Sequence, residues 1–169
     1  MKRTILTATA IAVALLASTS VASAQSNRVK IDQRGYGHGT ALSQNGDRNG
    51  AVTMQSGRGH YSSGVQNGYN NFLRMDQYGT KNRATTDQLG SDNLAVTGQE
   101  GLALSSTTIQ TGRGNVAGTA QIGTNNRALT NQNGKNNASA IIQVGNGQDV
   151  EVRQHGNDNI SVVVQSGYN

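Results

Sequence analysis

The amino-acid sequence predicts an all-β fold: a β-solenoid of 22-residue coils. Each coil holds two eleven-residue strand-turn units, stacked in cross-β fashion into two facing parallel sheets. Three observations carry that reading. Gln-x-Gly recurs at Gln33, Gln44, Gln55, Gln66, Gln77, Gln88, Gln99, Gln110, Gln121, Gln132, Gln143, Gln154 and Gln165, every step eleven residues and no insertion breaking the register. Self-similarity at a fixed period is the signature of a stacked repeat. Asn, a small residue, a β-branched residue and the next Gln follow at offsets of five, seven, nine and eleven, as in Asn49, Ala51, Thr53 and Gln55; these offsets share one parity, which in a strand is one face. Finally, the 169-residue chain has 22 Gly, no Pro, no Cys, 34% hydrophobic and 14% charged residues. That is too little apolar material for an ordinary core, and no thiol is present for a disulfide framework, a Cys zinc site or thiol catalysis.

From the N-terminus, Met1-Lys2-Arg3 is a short basic start, Ile5 to Ala17 is an almost unbroken apolar stretch, and Ala22-Ser23-Ala24 supplies small residues before Gln25. This predicts a cleaved secretory signal peptide over residues 1–24, because the apolar stretch is shorter than the roughly 20 residues that span a bilayer. Loss of Lys2 and Arg3 removes two cations and takes the net charge from +5 to +3. Residues 25–32 then form a short N-terminal segment and residues 33–169 the repeat domain, with no later stretch apolar enough for a transmembrane helix.

Within the repeat domain, Gly50 to Ser56 is a representative strand, with Ala51, Thr53 and Gln55 on one side and Val52 and Met54 on the other. Gly two residues after each Gln opens a bend of about four residues, rich in Gly, Asn and Asp, which tolerate left-handed backbone. Period two, Thr and Val in the strands and a Gly in every unit exclude a helix. An eleven-residue unit is too short for a strand pair, so two units make one coil. Five residues after Gln, one alternate set holds Asn49, Asn71, Asn93, Asn115, Asn137 and Asn159 without exception, whereas His38, His60, Leu104 and Gln148 all fall in the other set. The structural period is therefore 22. Stacking at about 4.8 Å puts Gln on Gln and Asn on Asn, and an amide that is costly to bury alone can donate to one neighbour and accept from the other. The thirteen grid Gln and the six Asn are the candidate ladder residues.

The run Gln44-Asn45-Gly46-Asp47-Arg48-Asn49-Gly50-Ala51 continuing to Gln55, a pattern Q-x-G-x-x-N-x-A-x-x-x-Q, resembles the curlin repeat of curli fimbriae over Gln33 to Asn169. The resemblance implies an exported subunit of an extracellular functional amyloid, a cell-surface pilus or fimbrium that supports adhesion and biofilm matrix. It also implies partners: further copies of the chain in a fibre polymer, a nucleator or major subunit sharing the repeat, and an outer-membrane curli secretion pore with accessory proteins. The segment before the grid, Gln25 to Asp32, is shorter than in the best-known curlin subunits, and the repeats are more numerous. Major subunit and nucleator both fit.

Other chemistries fit less well. His38 and His60 fall in adjacent coils where they could share an ion, but two ligands without a nearby carboxylate make a weak site, and replacement of Asn in its column is the expected role. The acids form no pair facing a cleft, and no Ser lies in a nucleophile elbow, so no catalytic residue, metal or cofactor is expected. A secreted monomeric β-solenoid, an adhesin or ice-binding protein, is the competing class. Its best feature is the Thr86, Thr108, Thr130 column, which parity with Gln88 turns inward, and the uncapped strand Ile160 to Ser166 favours an open-ended polymer. Lys and Arg near the bends are expected to keep secreted monomers soluble; the competing reading, attraction of nucleic acid or anionic polysaccharide, would act through charge alone, so no specific nucleic-acid partner is expected. Arg83, Asp87, Arg127, Asp149, Glu151 and Arg153 are gatekeepers on the outside of one set of units. In the other set, Ala138 to Val144 and Ile160 to Ser166 carry no charge, and the outward Ile142, Ile160, Val162 and Val164 form the candidate assembly hot spot.

Overall fold

The computed structural model describes residues 26–168, so the signal peptide expected over residues 1–24 lies outside the described residues. Thirteen strands of nine residues follow one another: β1 (Arg28–Tyr36), β2 (Gly39–Asp47), β3 (Gly50–Arg58), β4 (Tyr61–Tyr69), β5 (Phe72–Thr80), β6 (Arg83–Ser91), β7 (Leu94–Leu102), β8 (Ser105–Arg113), β9 (Val116–Thr124), β10 (Arg127–Lys135), β11 (Ala138–Asn146), β12 (Asp149–Asn157) and β13 (Ile160–Tyr168). Odd strands make a seven-stranded sheet and even strands a six-stranded one. Every pairing is parallel with a 22-residue offset, Gln33 lying on Gln55 and Gln44 on Gln66. Each coil thus contributes one strand to each sheet.

The strands are longer and the bends shorter than the sequence suggests. The strand expected at Gly50 to Ser56 runs on to Arg58, leaving the two residues Gly59 and His60 as the bend, and β1 takes in Arg28 to Asp32 of the segment set apart from the repeats. The reason lies in the Gly of Gln-x-Gly, which stays inside the strand at φ between +99° and +144°. That backbone conformation turns the chain without leaving the ladder. A Cβ on Gly90 would stand 2.0 Å from the carbonyl oxygen of Gly112 one coil away, so this column admits no side chain at all. The residue four after each grid Gln from Gln33 to Gln154 takes the left-handed conformation, φ +53° to +72°, and is Gly, Asn or Asp in most bends but Arg48, Lys81 and Ala103 in three. Each of those three costs about 1 kcal/mol, which the stacking around it outweighs.

The inner faces meet in a thin, mostly polar core. Ala51, Thr53 and Gln55 are buried, while Val52 and Met54 on the outer side are only half-buried. Apolar packing is confined to two places. Near the start Leu42 packs on Ala51, Leu73, Met75, Ala84 and Ala95, and near the end Ala128, Ile141, Val150 and Val152 pack with Val163. Gly64 makes room for the first cluster, since a Cβ there would come within 2.8 Å of both Leu42 and Leu73. Between the clusters the inner column is Thr86, Thr108 and Thr130, all buried. Polar burial on this scale is stable only if the amides are satisfied.

Two glycine substitutions separate the backbone column from ordinary strand glycine. Gly90→Ala should cost several kcal/mol, roughly 3 or more, because it combines a forbidden φ with a clash against backbone. Gly98→Ala meets nothing within 4 Å and should be neutral or slightly stabilising. Denaturation midpoints measured side by side check this, and equal effects would remove the backbone column from the account.

Candidate functional site

The inward amides are the chemistry of this molecule. Gln88 Nε2 donates one hydrogen to Gln110 Oε1 at 2.9 Å and the other to the Phe72 carbonyl, across the core on β5, at 3.0 Å. The same two bonds recur along both sheets. One ladder runs Gln33, Gln55, Gln77, Gln99, Gln121, Gln143, Gln165. The other runs Gln44, Gln66, Gln88, Gln110, Gln132, Gln154. Every ladder bond points the same way, the donor in the earlier coil and the acceptor in the later one. Each Gln therefore fixes the spacing of its own sheet and, through the second hydrogen, the distance to the opposite sheet.

The Asn column has the opposite polarity. Asn71 donates its backbone N–H and Nδ2 to Asn49 Oδ1 at 3.0 and 3.1 Å, and Nδ2 also reaches the Gly90 carbonyl at 2.9 Å. Asn93, Asn115, Asn137 and Asn159 each donate in the same way to the preceding member. Asn27 is the first member, its Oδ1 accepting the Asn49 N–H at 2.8 Å. Sequence reasoning passed over Asn27 because it precedes the first grid Gln; its place 22 residues before Asn49 was the available signal.

In the alternate column, imidazole stands in for amide. His60 Nδ1 accepts the Asn82 N–H at 3.2 Å, which makes Nε2 the protonated nitrogen, and Nε2 donates to the Ser56 carbonyl at 3.1 Å. His38 makes the equivalent bonds to the His60 N–H and the Arg34 carbonyl. The rings stack in parallel, centroids 5.1 Å apart, with both nitrogens of each ring in use. The two histidines thus fill Asn positions. Burial, foremost, holds the His60 pKa below its ordinary value of 6.5. Leu104 occupies the next slot but one as a buried apolar side chain with no acceptor for the coil after it. Gln148 closes the column: its N–H donates to Asn126 Oδ1 at 3.0 Å, while its own buried Oε1 has no partner among the described residues.

Outside the columns, arginines cover tyrosine rings one coil away, Arg48 on Tyr69, Arg58 on Tyr36 and Arg83 on Tyr61, at 4.9 to 5.4 Å. The outer side of the even sheet carries Arg83, Asp87, Arg127, Asp149, Glu151 and Arg153, with Arg127 paired to Asp149 at 3.4 Å. On the odd sheet, Ile142 of β11 and Ile160, Val162 and Val164 of β13 project outward, Ile160 at 80% exposure. The ladders stop at open edges on β1, β2, β12 and β13 among the described residues. At the first edge Gln33 and Gln44 present Oε1 acceptors; at the last, Gln154 and Gln165 keep an amide hydrogen for a coil beyond.

With this geometry in place, the curlin-associated repeat family matches residues 68–101 and 123–156. Both windows begin and end on glycines of the backbone column. No curated protein and no solved structure matches the chain.

Gln110→Ala should leave Gln88 and Gln132 each short of one ladder bond and cost on the order of 1–3 kcal/mol, whereas Asn133→Ala on the outer face should cost almost nothing. Equal losses in equilibrium unfolding would contradict the ladder. His60 adds a pH dependence. The folded state depresses the His60 pKa, so its contribution is intact above the unfolded value near 6.5 and declines as pH falls from there toward the lowered folded value. A His38→Asn/His60→Asn variant, with amides in place of both rings, should lose that part of the slope between pH 7 and 5; an unchanged slope would sink the assignment.

Proposed function

We propose that this chain belongs to the curlin-repeat family and is an extracellular structural subunit of a curli-like amyloid fibre, exported from the cell and supporting adhesion and biofilm matrix. The observation that carries the proposal is the polarity of the ladders. The Gln ladders leave acceptors at one end of the solenoid and donors at the other, and the Asn column leaves the reverse, so one copy ends in what the next begins with, and an unpaired strand edge invites pairing. Nothing in such a surface calls for catalysis, and the proposal assigns no catalytic residue. An ice-binding role needs an outward threonine array, and Thr86, Thr108 and Thr130 are buried.

Export through an outer-membrane curli pore with its accessory proteins, and co-assembly with a partner curlin-like subunit, belong to the same proposal. The nucleator of the same fibre shares every feature named and is the second reading. Adhesion fits a repetitive surface rather than a pocket: each added copy repeats the same row of outer side chains, so weak contacts multiply along the fibre.

Purified residues 25–169 should give thioflavin-positive fibres after a lag, visible by electron microscopy, and a persistent monomer with a sharp thermal transition would refute the proposal. Val162→Lys should lengthen the lag more than Thr85→Lys, which puts the same charge at an outer site of a strand that already carries Arg83 and Asp87. The reverse order would remove Ile142, Ile160, Val162 and Val164 as the assembly hot spot.

A further inference from the structure

The two ends of the solenoid are not interchangeable by simple translation. Each strand advances the chain by half a coil and crosses to the other sheet, and the thirteen strands of the described residues end on the sheet where they began. A copy added without rotation would place its β1 on β13. Its β2 would then stand above β12 with the height of one strand missing between them. Turned by half a revolution about the solenoid axis, the incoming copy places β1 on β12 and β2 on β13, and both sheets continue without a gap.

We propose, building on the fibre reading above, that successive copies add head to tail with this half-turn, β12 pairing with β1 of the next copy and β13 with its β2. The outer side chains supply the first independent support. In the register used by every pair in the fold, Gln154 meets Gln33 of the next copy. Asp149 then lies opposite Arg28, Glu151 opposite Lys30 and Arg153 opposite Asp32, three successive pairs of opposite sign. His155 falls opposite Arg34 and Asn157 opposite Tyr36, which add no further complementarity. On the other sheet, Ile160, Val162 and Val164 lie opposite the uncharged Gly39, Ala41 and Ser43. Without the half-turn, Arg28, Lys30 and Asp32 would instead meet Ile160, Val162 and Val164, and none of the three opposite-sign pairs between copies would form.

The inner side gives the second support. Val29 and Ile31 occupy inward positions of β1 yet are 51% and 48% exposed, because no strand of the described residues lies on their open side. The half-turn sets Val150 on Val29 and Val152 on Ile31. The columns give the third. Each polar column member with a coil after it accepts the N–H of the residue 22 positions later, Leu104 being the exception, and the place one coil beyond Gln148 falls to Asn27 of the next copy. Its N–H would reach the buried, unpartnered Gln148 Oε1, while the His38 N–H would reach Asn159 Oδ1. One docking satisfies the charges, the apolar inner positions and the buried acceptor together.

The chain has no cysteine, which makes a clean cross-linking test possible. Adjacent parallel strands lie about 4.8 Å apart, within disulfide reach, and residues 30 and 151 sit at opposite ends of one copy. Fibres of a Lys30→Cys/Glu151→Cys chain, oxidised after assembly, should run as covalent multimers on a non-reducing gel, while Lys30→Cys/Val162→Cys fibres should run as monomers. In parallel, Asp149→Arg/Glu151→Lys/Arg153→Asp should lengthen the assembly lag about tenfold or more, and adding Arg28→Asp/Lys30→Glu/Asp32→Arg to the same chain should restore it. Helical reconstruction should give a rotation near 180° with a rise of about 31 Å per copy, six and a half coils at the β spacing. Cross-linking by the 30/162 pair, or by neither pair in fibres that do form, overturns the half-turn and leaves the fibre reading standing. Failure of the unmodified chain to form fibres overturns both.

Discussion

A buried primary amide must find its partners, and in this molecule the partner is the same residue one coil away. That constraint sets the rest. The ladder works only if every coil has the same length, so the 22-residue offset cannot slip by even one residue without turning each Gln to the outside. It works only if neighbouring backbones approach at the β spacing, which at the tightest point leaves room for a hydrogen and no Cβ, hence the unbroken glycine column. The net worth of one such bond is modest, about 1 kcal/mol. The cost of leaving one unmade is larger, and this asymmetry holds the register more firmly than the sum of the bonds would suggest.

The same constraint explains how a chain so poor in hydrophobic residues folds. Ala, Ser and Thr fill the inner positions beside Gln because the sheets are drawn together by the cross-core amide hydrogens, leaving little volume for anything larger. Larger inner side chains such as Leu73, Met75, Ile141, Val150 and Val152 are the exceptions, and Leu73 has room because Gly64 lies across from it. Several inner hydroxyls, among them Thr97 and Thr130, have no partner among the described residues. The column that contains Thr97 places Met75 and Ile141 at equivalent sites, which shows that a hydroxyl is not what the site requires.

Much of this is legible in the order of the amino acids. Period and parity alone place Gln55, Thr53 and Ala51 inside and Val52 and Met54 outside, and the alternation of Asn with His, Leu and Gln reveals that two units make a coil. Backbone detail is harder to read. Glycine ordinarily signals a bend, yet Gly57 and its equivalents remain within strands, because a positive φ and a contact with the neighbouring coil leave no trace in composition. Asn27 and the first strand escape a search anchored on Gln33. The direction of the ladders and the use of His60 Nδ1 as an amide oxygen depend on atomic geometry. The end charges show the same limit. Asp149 and Glu151 read from the sequence only as gatekeepers, and Arg28 and Lys30 carry no reading there; in the half-turn proposed above, residues that discourage the wrong pairing become the ones that would select the right one.

The central claim is that the glutamine amides are bonded in continuous stacks rather than merely buried. Hydrogen exchange of the side-chain amides, followed by NMR on glutamine- and asparagine-labelled protein, tests it most directly. The account predicts that the Nε2 protons of Gln77, Gln88, Gln99, Gln110 and Gln121 exchange as slowly as the backbone amides of the strands that carry them, while the exposed Asn133 side chain exchanges at the rate of a free amide. Rapid exchange at those glutamines in a protein that retains its strands would contradict it.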